Sequence, residues 1–159
     1  MVGYTEKYEE AVEHLRAGAF DRARQLFYEI YLEYNEPLAL LRVSQLDFVF
    51  GNFESMQFPN RLKPEDAWIK LGIYRAALLG LESELIEWLS LSDKISTSKK
   101  IKAFLTACQK LSIVKDSTIA NRSASQEVLR IEKMITNREY WKLLEGSVLI
   151  EDFSHYRHS

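Results

Sequence analysis

Two runs of residues with apolar positions at helical spacing are separated by only Gly18-Ala19, and this constrains the fold more than any other feature of the chain. From Tyr4 to Ala17, the residues Tyr8, Ala11, Val12 and Leu15 recur on one face, while Glu6, Glu9, Glu10 and Glu13 fall elsewhere. Acidic residues in the early turns suit the positive end of a helix dipole. From Phe20 to Tyr34, the residues Ala23, Leu26, Phe27, Ile30 and Tyr31 form a second stripe. Helices joined by so short a link have to fold back antiparallel. The spacing therefore predicts a helical hairpin.

The same grammar runs on. Pro37 suits a first helical turn, where its missing N–H has no partner to lose. The segment Pro37 to Phe50 is apolar nearly all round, as expected of a helix sandwiched between others, and Gly51-Asn52 breaks it. Pro59 forbids a long helix over 53–62. Pro64-Glu65-Asp66 opens a further helix carrying Trp68, Ile69, Leu71, Ile73, Ala76, Ala77 and Leu79; Gly80 interrupts it, and Glu82 to Leu91 continues. The polar stretch Ser90 to Ser98 reads as a linker. Beyond it the spacing predicts a helix over Ser98 to Leu111 and a loop over Val114 to Arg122. Ser123-Ala124-Ser125-Gln126 has the form of a capping box and introduces a helix through Val128, Leu129, Ile131, Met134 and Ile135. Asn137 is the expected interruption before Tyr140, Trp141, Leu143 and Leu144, and Gly146 the end of the pattern.

Two turns are alike: Gly18-Ala19-Phe20-Asp21 and Gly51-Asn52-Phe53-Glu54 lie 33 residues apart. A period near 34 with a helix on each side of the turn is the mark of a helical-hairpin repeat. Over residues 4–91 the chain resembles the tetratricopeptide repeat family. Ala11, Gly18, Phe20, Ala23 and Phe27 fall on that family's small and aromatic positions, and Pro37 lies two residues beyond the expected proline. Trp68-x-x-Leu71-Gly72 fits part of the pattern in a third pair, with Tyr74 displaced by one residue. In the second copy the first helix and turn fit, but Pro59 and Asn60 spoil the second helix. The resemblance implies an all-α fold of stacked antiparallel helical hairpins, an α-solenoid of about seven or eight helices. It divides the chain into hairpins over 1–91 and capping or lid helices with a tail over 92–159, within one domain.

The resemblance also implies a concave surface lined by the first helix of each pair, where such proteins hold a peptide or a helix of another protein. The lining positions of this chain are Tyr8 and Val12, then Leu41, Gln45 and Phe48, then Ile69 and Ile73. The set is apolar and favours a hydrophobic segment; the competing reading makes several of these residues ordinary core. The basic-and-asparagine clamp of some family members is not visible, since Tyr8 and Glu9 stand where it wants Lys or Asn.

Composition narrows the alternatives. A chain of 159 residues suits one domain, and 47% apolar with 28% charged residues excludes disorder throughout. The first residues lack the basic-then-apolar order of a signal peptide, and no stretch reaches the roughly 18 apolar residues of a membrane span. The expected compartment is intracellular, cytoplasmic or nuclear, with no membrane partner. Without a secretion signal, the sequon Asn121-Arg122-Ser123 carries little weight. Cys108, the sole cysteine, admits no intrachain disulfide and sits among apolar residues as a small hydrophobe.

Residues 1–91 hold 9 Lys/Arg against 15 Asp/Glu, whereas 92–159 hold 12 against 8. Lys94, Lys99, Lys100 and Lys102, followed by Lys110 and Lys115, form the one basic concentration. Lysines there would neutralise phosphates in a nucleic-acid-associated module. Phe104 is the sole aromatic nearby, so a solvated face is the first reading. His155 and His158 at i, i+3 would suit zinc only within a helix, and His14 sits in an acidic helix. No phosphate loop, metalloprotease motif, nucleophile elbow or dinucleotide fingerprint is present. The expectation is a non-enzymatic adaptor or complex subunit without metal or cofactor.

Overall fold

A computed structural model describes residues 3–59, 65–96, 98–115 and 126–144. All regular structure among them is helical, with no strand. The expected cap residues 123–125, the Asn121 sequon and the His155 and His158 pair lie outside the described residues. The chain divides into two compact units, one of Met1–Asn60 with Tyr140–Ser159 and the other of Arg61–Glu139. The expected boundary at residue 91 falls inside the second.

The first unit contains α1 (Tyr4–Arg16), α2 (Phe20–Tyr34) and α3 (Pro37–Val49), a one-turn 3₁₀ helix over Phe53–Ser55, and a second over Tyr140–Leu144. α1 ends where Gly18 takes φ of 79°. There the Ala19 N–H reaches back to the His14 carbonyl at 2.8 Å and the Gly18 N–H to the Leu15 carbonyl at 3.1 Å. These paired bonds satisfy carbonyls that a helix end leaves bare, and they require a left-handed residue between them. The chain thus reverses within two residues, and Ala11, Leu15, Ala23, Leu26 and Phe27 close into one core with Val43 and Leu46 of α3.

α3 is buried nearly all round, polar residues included. Each polar group has an answer. The buried Asp47 carboxylate accepts from Arg24 Nε at 2.8 Å and Nη2 at 3.0 Å. Ser44 Oγ donates to the Gln57 carbonyl at 2.6 Å. Gln45 Oε1 accepts from Arg42 at 2.8 Å.

Gly51 repeats the Gly18 cap at φ of 76°, its neighbour Asn52 donating to the Asp47 carbonyl at 2.8 Å. A full return helix does not follow among the described residues: the chain makes one 3₁₀ turn at Phe53, is extended at Met56 and runs on without regular structure to Pro59. Tyr140 fills part of the space, its ring 5.0 Å from Phe53 and 6.0 Å from Phe48.

The second unit contains α4 (Asp66–Leu78), α5 (Glu82–Ser90), the single-turn α6 (Asp93–Ser96), α7 (Lys99–Lys110) and α8 (Gln126–Thr136). α4 and α5 are two helices, not one bent one, because Gly80 carries the same cap. They cross closely at Gly72, where an added Cβ would lie 2.2 Å from the Trp88 ring. α7 packs its Phe104 ring edge-on to Tyr74 of α4 at 4.7 Å. The expected linker therefore includes α6, whose Ile95 is buried. Two further caps use left-handed residues other than glycine, Ser112 after α7 and Arg138 after α8.

Three outcomes follow for stability in urea. Gly72→Ala destabilises by about 1–3 kcal/mol despite alanine's better helix propensity, because the Trp88 ring has to move. Arg138→Gly stabilises by about 0.5–1 kcal/mol, since it removes left-handed strain, whereas Gly18→Ala loses about 1 kcal/mol.

Candidate functional site

The expected lining positions separate by burial. Leu41, Phe48, Ile69 and Ile73 are 5%, 0%, 1% and 0% exposed, so these side chains belong to the packed interior. Phe48 is turned towards Phe53 and Tyr140. Ile69 and Ile73 lie on α4 and belong to the second unit. Tyr8 and Val12 are half-buried on α1, and Gln45 is buried on α3 with its amide oxygen turned to Arg42.

Around these three residues a face is built on α1 and α3. α2 runs back between them in sequence, so α1 and α3 point the same way. Tyr4, Tyr8 and Val12 follow one another at four-residue steps on α1, and Leu38, Arg42 and Gln45 at steps of four and three on α3. Each set therefore shares one side of its helix. The rows are tied where the Tyr8 hydroxyl accepts a hydrogen bond from Arg42 Nε at 3.0 Å, and Arg42 Nη1 donates to Gln45.

Aromatic packing holds the α1 row: Tyr8 lies 6.0 Å from Tyr4 and 5.3 Å, edge-on, from Phe27. Burial, and then the Glu36 carboxylate, raise the pKa of the Tyr4 hydroxyl against the opposing pull of Arg42. Tyr4 is therefore a neutral phenol at physiological pH. Arg42 was not among the expected site residues. Its being the one basic residue of α3 is the signal that could find it.

A second feature of the same unit is a depression of about 650 Å³ bordered by Gly18, Phe20, Arg22, Phe50 and Asn52, with the Arg24–Asp47 pair on its wall. Phe50 is 48% exposed there and lies 5.3 Å from Phe20. In the second unit a depression of about 700 Å³ runs beside Leu129, Arg130 and Lys133.

Other candidates are placed as follows. Lys94 and Lys99 are exposed, and Lys100 and Lys102 are half-buried on α7. Tyr28 and Tyr31 stack at 6.3 Å, and Tyr34 sets its edge against Tyr4 at 5.7 Å. His14 lies 3.8 Å from Glu10 one turn away. No cluster of three or more His, Cys, Asp or Glu suited to a metal occurs among the described residues. No described helix is long and apolar enough to cross a membrane. No protein-family model, curated protein or solved structure matches this chain.

Cys108 is fully buried and its thiol is pushed up to about 12 by that burial. A thiolate is the reactive form. At pH 8 the native protein should therefore leave Ellman's reagent unreacted over a time in which the urea-unfolded chain releases one equivalent of chromophore. Equal rates in the two states would contradict the placement of Cys108 in the core.

Proposed function

We propose that this chain is a non-enzymatic protein-interaction module of tetratricopeptide-like architecture, an intracellular adaptor or complex subunit that holds a peptide or helix of another protein along the α1–α3 face. The observation that carries the reading is the tie between Tyr8 and Arg42, residues 34 positions apart joined by one hydrogen bond. Successive hairpins of a repeat place equivalent helices side by side at that period. The glycine caps 33 residues apart support the same reading.

The face has the make-up of a recognition surface. Partly open tyrosine rings offer large contact area with few rotatable bonds, and arginine and tyrosine are the residues on which binding energy tends to concentrate. A ligand helix would lay its apolar side between the two rows. Leu38, 39% exposed, and Val12 supply the aliphatic part of the contact.

Selection of 16-residue segments displayed on phage tests the proposal. Val12→Glu should abolish enrichment of the segments that the parent chain selects, because it puts a charge between the rows. Leu129→Glu, at a residue 54% exposed in the second unit, should leave enrichment unchanged. If the parent chain enriches nothing that Val12→Glu fails to hold, the face is not the binding surface.

A further inference from the structure

Arg42 is a half-buried cation whose hydrogen-bond partners are both neutral, the Tyr8 hydroxyl and the Gln45 amide oxygen. No described carboxylate forms an ion pair with it, including Glu36, which lies near enough to act on Tyr4. The other partly buried arginines of described helices differ. Arg24 is held by Asp47 and Arg75 by Glu84. Taking a charge part-way out of water without an opposite charge is unfavourable.

The guanidinium has five N–H donors in a fixed plane. Its Nε–H is directed to Tyr8 and one Nη1–H to Gln45, which leaves three donors at the Nη1 and Nη2 end. That free end matches the two oxygens of one carboxylate. The two spent donors serve a second purpose, since they hold the plane still before anything binds. Gln45 is 5% exposed and Tyr8 is wedged against Phe27, so neither brace is a mobile surface group.

We infer that Arg42 anchors an acidic side chain, an internal Asp or Glu of the bound segment, with apolar residues about one helical turn to either side. The inference rests on the α1–α3 face being the binding surface. The internal position comes from where the cation stands: Leu38 and Tyr4 lie one turn before the Tyr8–Arg42 tie and Val12 one turn after it. A segment lying along the rows therefore meets the charge at its middle and aliphatic or aromatic surface at both ends.

The test is the same displayed library, in which every segment is joined to coat protein and has no free terminal carboxylate. Selected segments are then synthesised with amidated ends as Glu and Gln twins and titrated against the parent chain, Arg42→Gln and Arg42→Lys. The parent should enrich segments with a central Asp or Glu and bind the Glu twin about 10- to 100-fold more tightly than the Gln twin. Arg42→Gln should lose that preference, binding the Glu and Gln twins about equally. Arg42→Lys, which keeps the charge without the planar fork, should fall between them.

Segments that depend on Val12 yet show no acidic preference, or a Glu preference that survives in Arg42→Gln, would overturn the anchor and leave the face standing. Loss of all Val12-dependent enrichment would remove the face and the anchor together. If Arg42→Gln fails to fold by circular dichroism, the Arg42→Lys titration decides: a Glu preference undiminished in that variant overturns the fork.

Discussion

The reversal at a glycine cap is the constraint on which the rest of the first unit depends. A helix end leaves carbonyls without partners. At Gly18 two of them are recovered by N–H groups that turn back over the helix, which is feasible because a residue without Cβ adopts φ of 79° at little cost. The same bonds set the direction in which the chain leaves. α2 therefore lies against α1 over its length, and the stripe of Ala11 and Leu15 finds Ala23, Leu26 and Phe27 without a long connection. Small residues at Ala11 and Ala23 let the helices approach, and aromatic Phe27 fills the space they leave.

From that reversal the candidate site follows in steps. A second reversal at Asn35, also left-handed at φ of 53°, returns the chain as α3. α3 needs apolar residues on most sides because α2, the Phe53 turn and Tyr140 all meet it. Its few polar groups are consequently tied to definite partners. Asp47 is fixed by Arg24 and Ser44 by the Gln57 carbonyl, so the rotation of α3 about its axis is set. Arg42 is then presented on the α1 side, opposite Tyr8. The electrostatics of the face thus have their origin in core packing.

Much of the helical architecture was legible in the sequence, and what was missed has physical reasons. The hairpin at Gly18, the break at Gly51 and the split at Gly80 were readable because glycine announces a left-handed cap. Ser112 and Arg138 make equivalent caps but carry side chains that most often sit elsewhere, so the sequence points to Asn137 as the interruption, one residue early. Pro59 correctly forbade a long second helix, but no local signal could say that Tyr140, more than 80 residues later, packs beside Phe53. The lining set was read from helical periodicity, which gives the side of a helix but not what covers it. Phe48, Leu41 and Gln45 share α3 with Arg42, and only the packing distinguishes the three buried residues from the half-buried one. Arg42 stands out in the sequence as the one basic residue of α3, but its missing counter-charge is a property of three-dimensional surroundings.

The recognition face depends on Tyr8 of α1 lying opposite Arg42 of α3. The most direct measurement is the pattern of nuclear Overhauser contacts from the Tyr8 ring protons in the isotopically labelled chain. Contacts to the Phe27 ring and to the Arg42 side-chain methylenes are the expected result. A Tyr8 ring with contacts to Phe27 but none to any residue of α3 would contradict the register, and the recognition face would lose its basis.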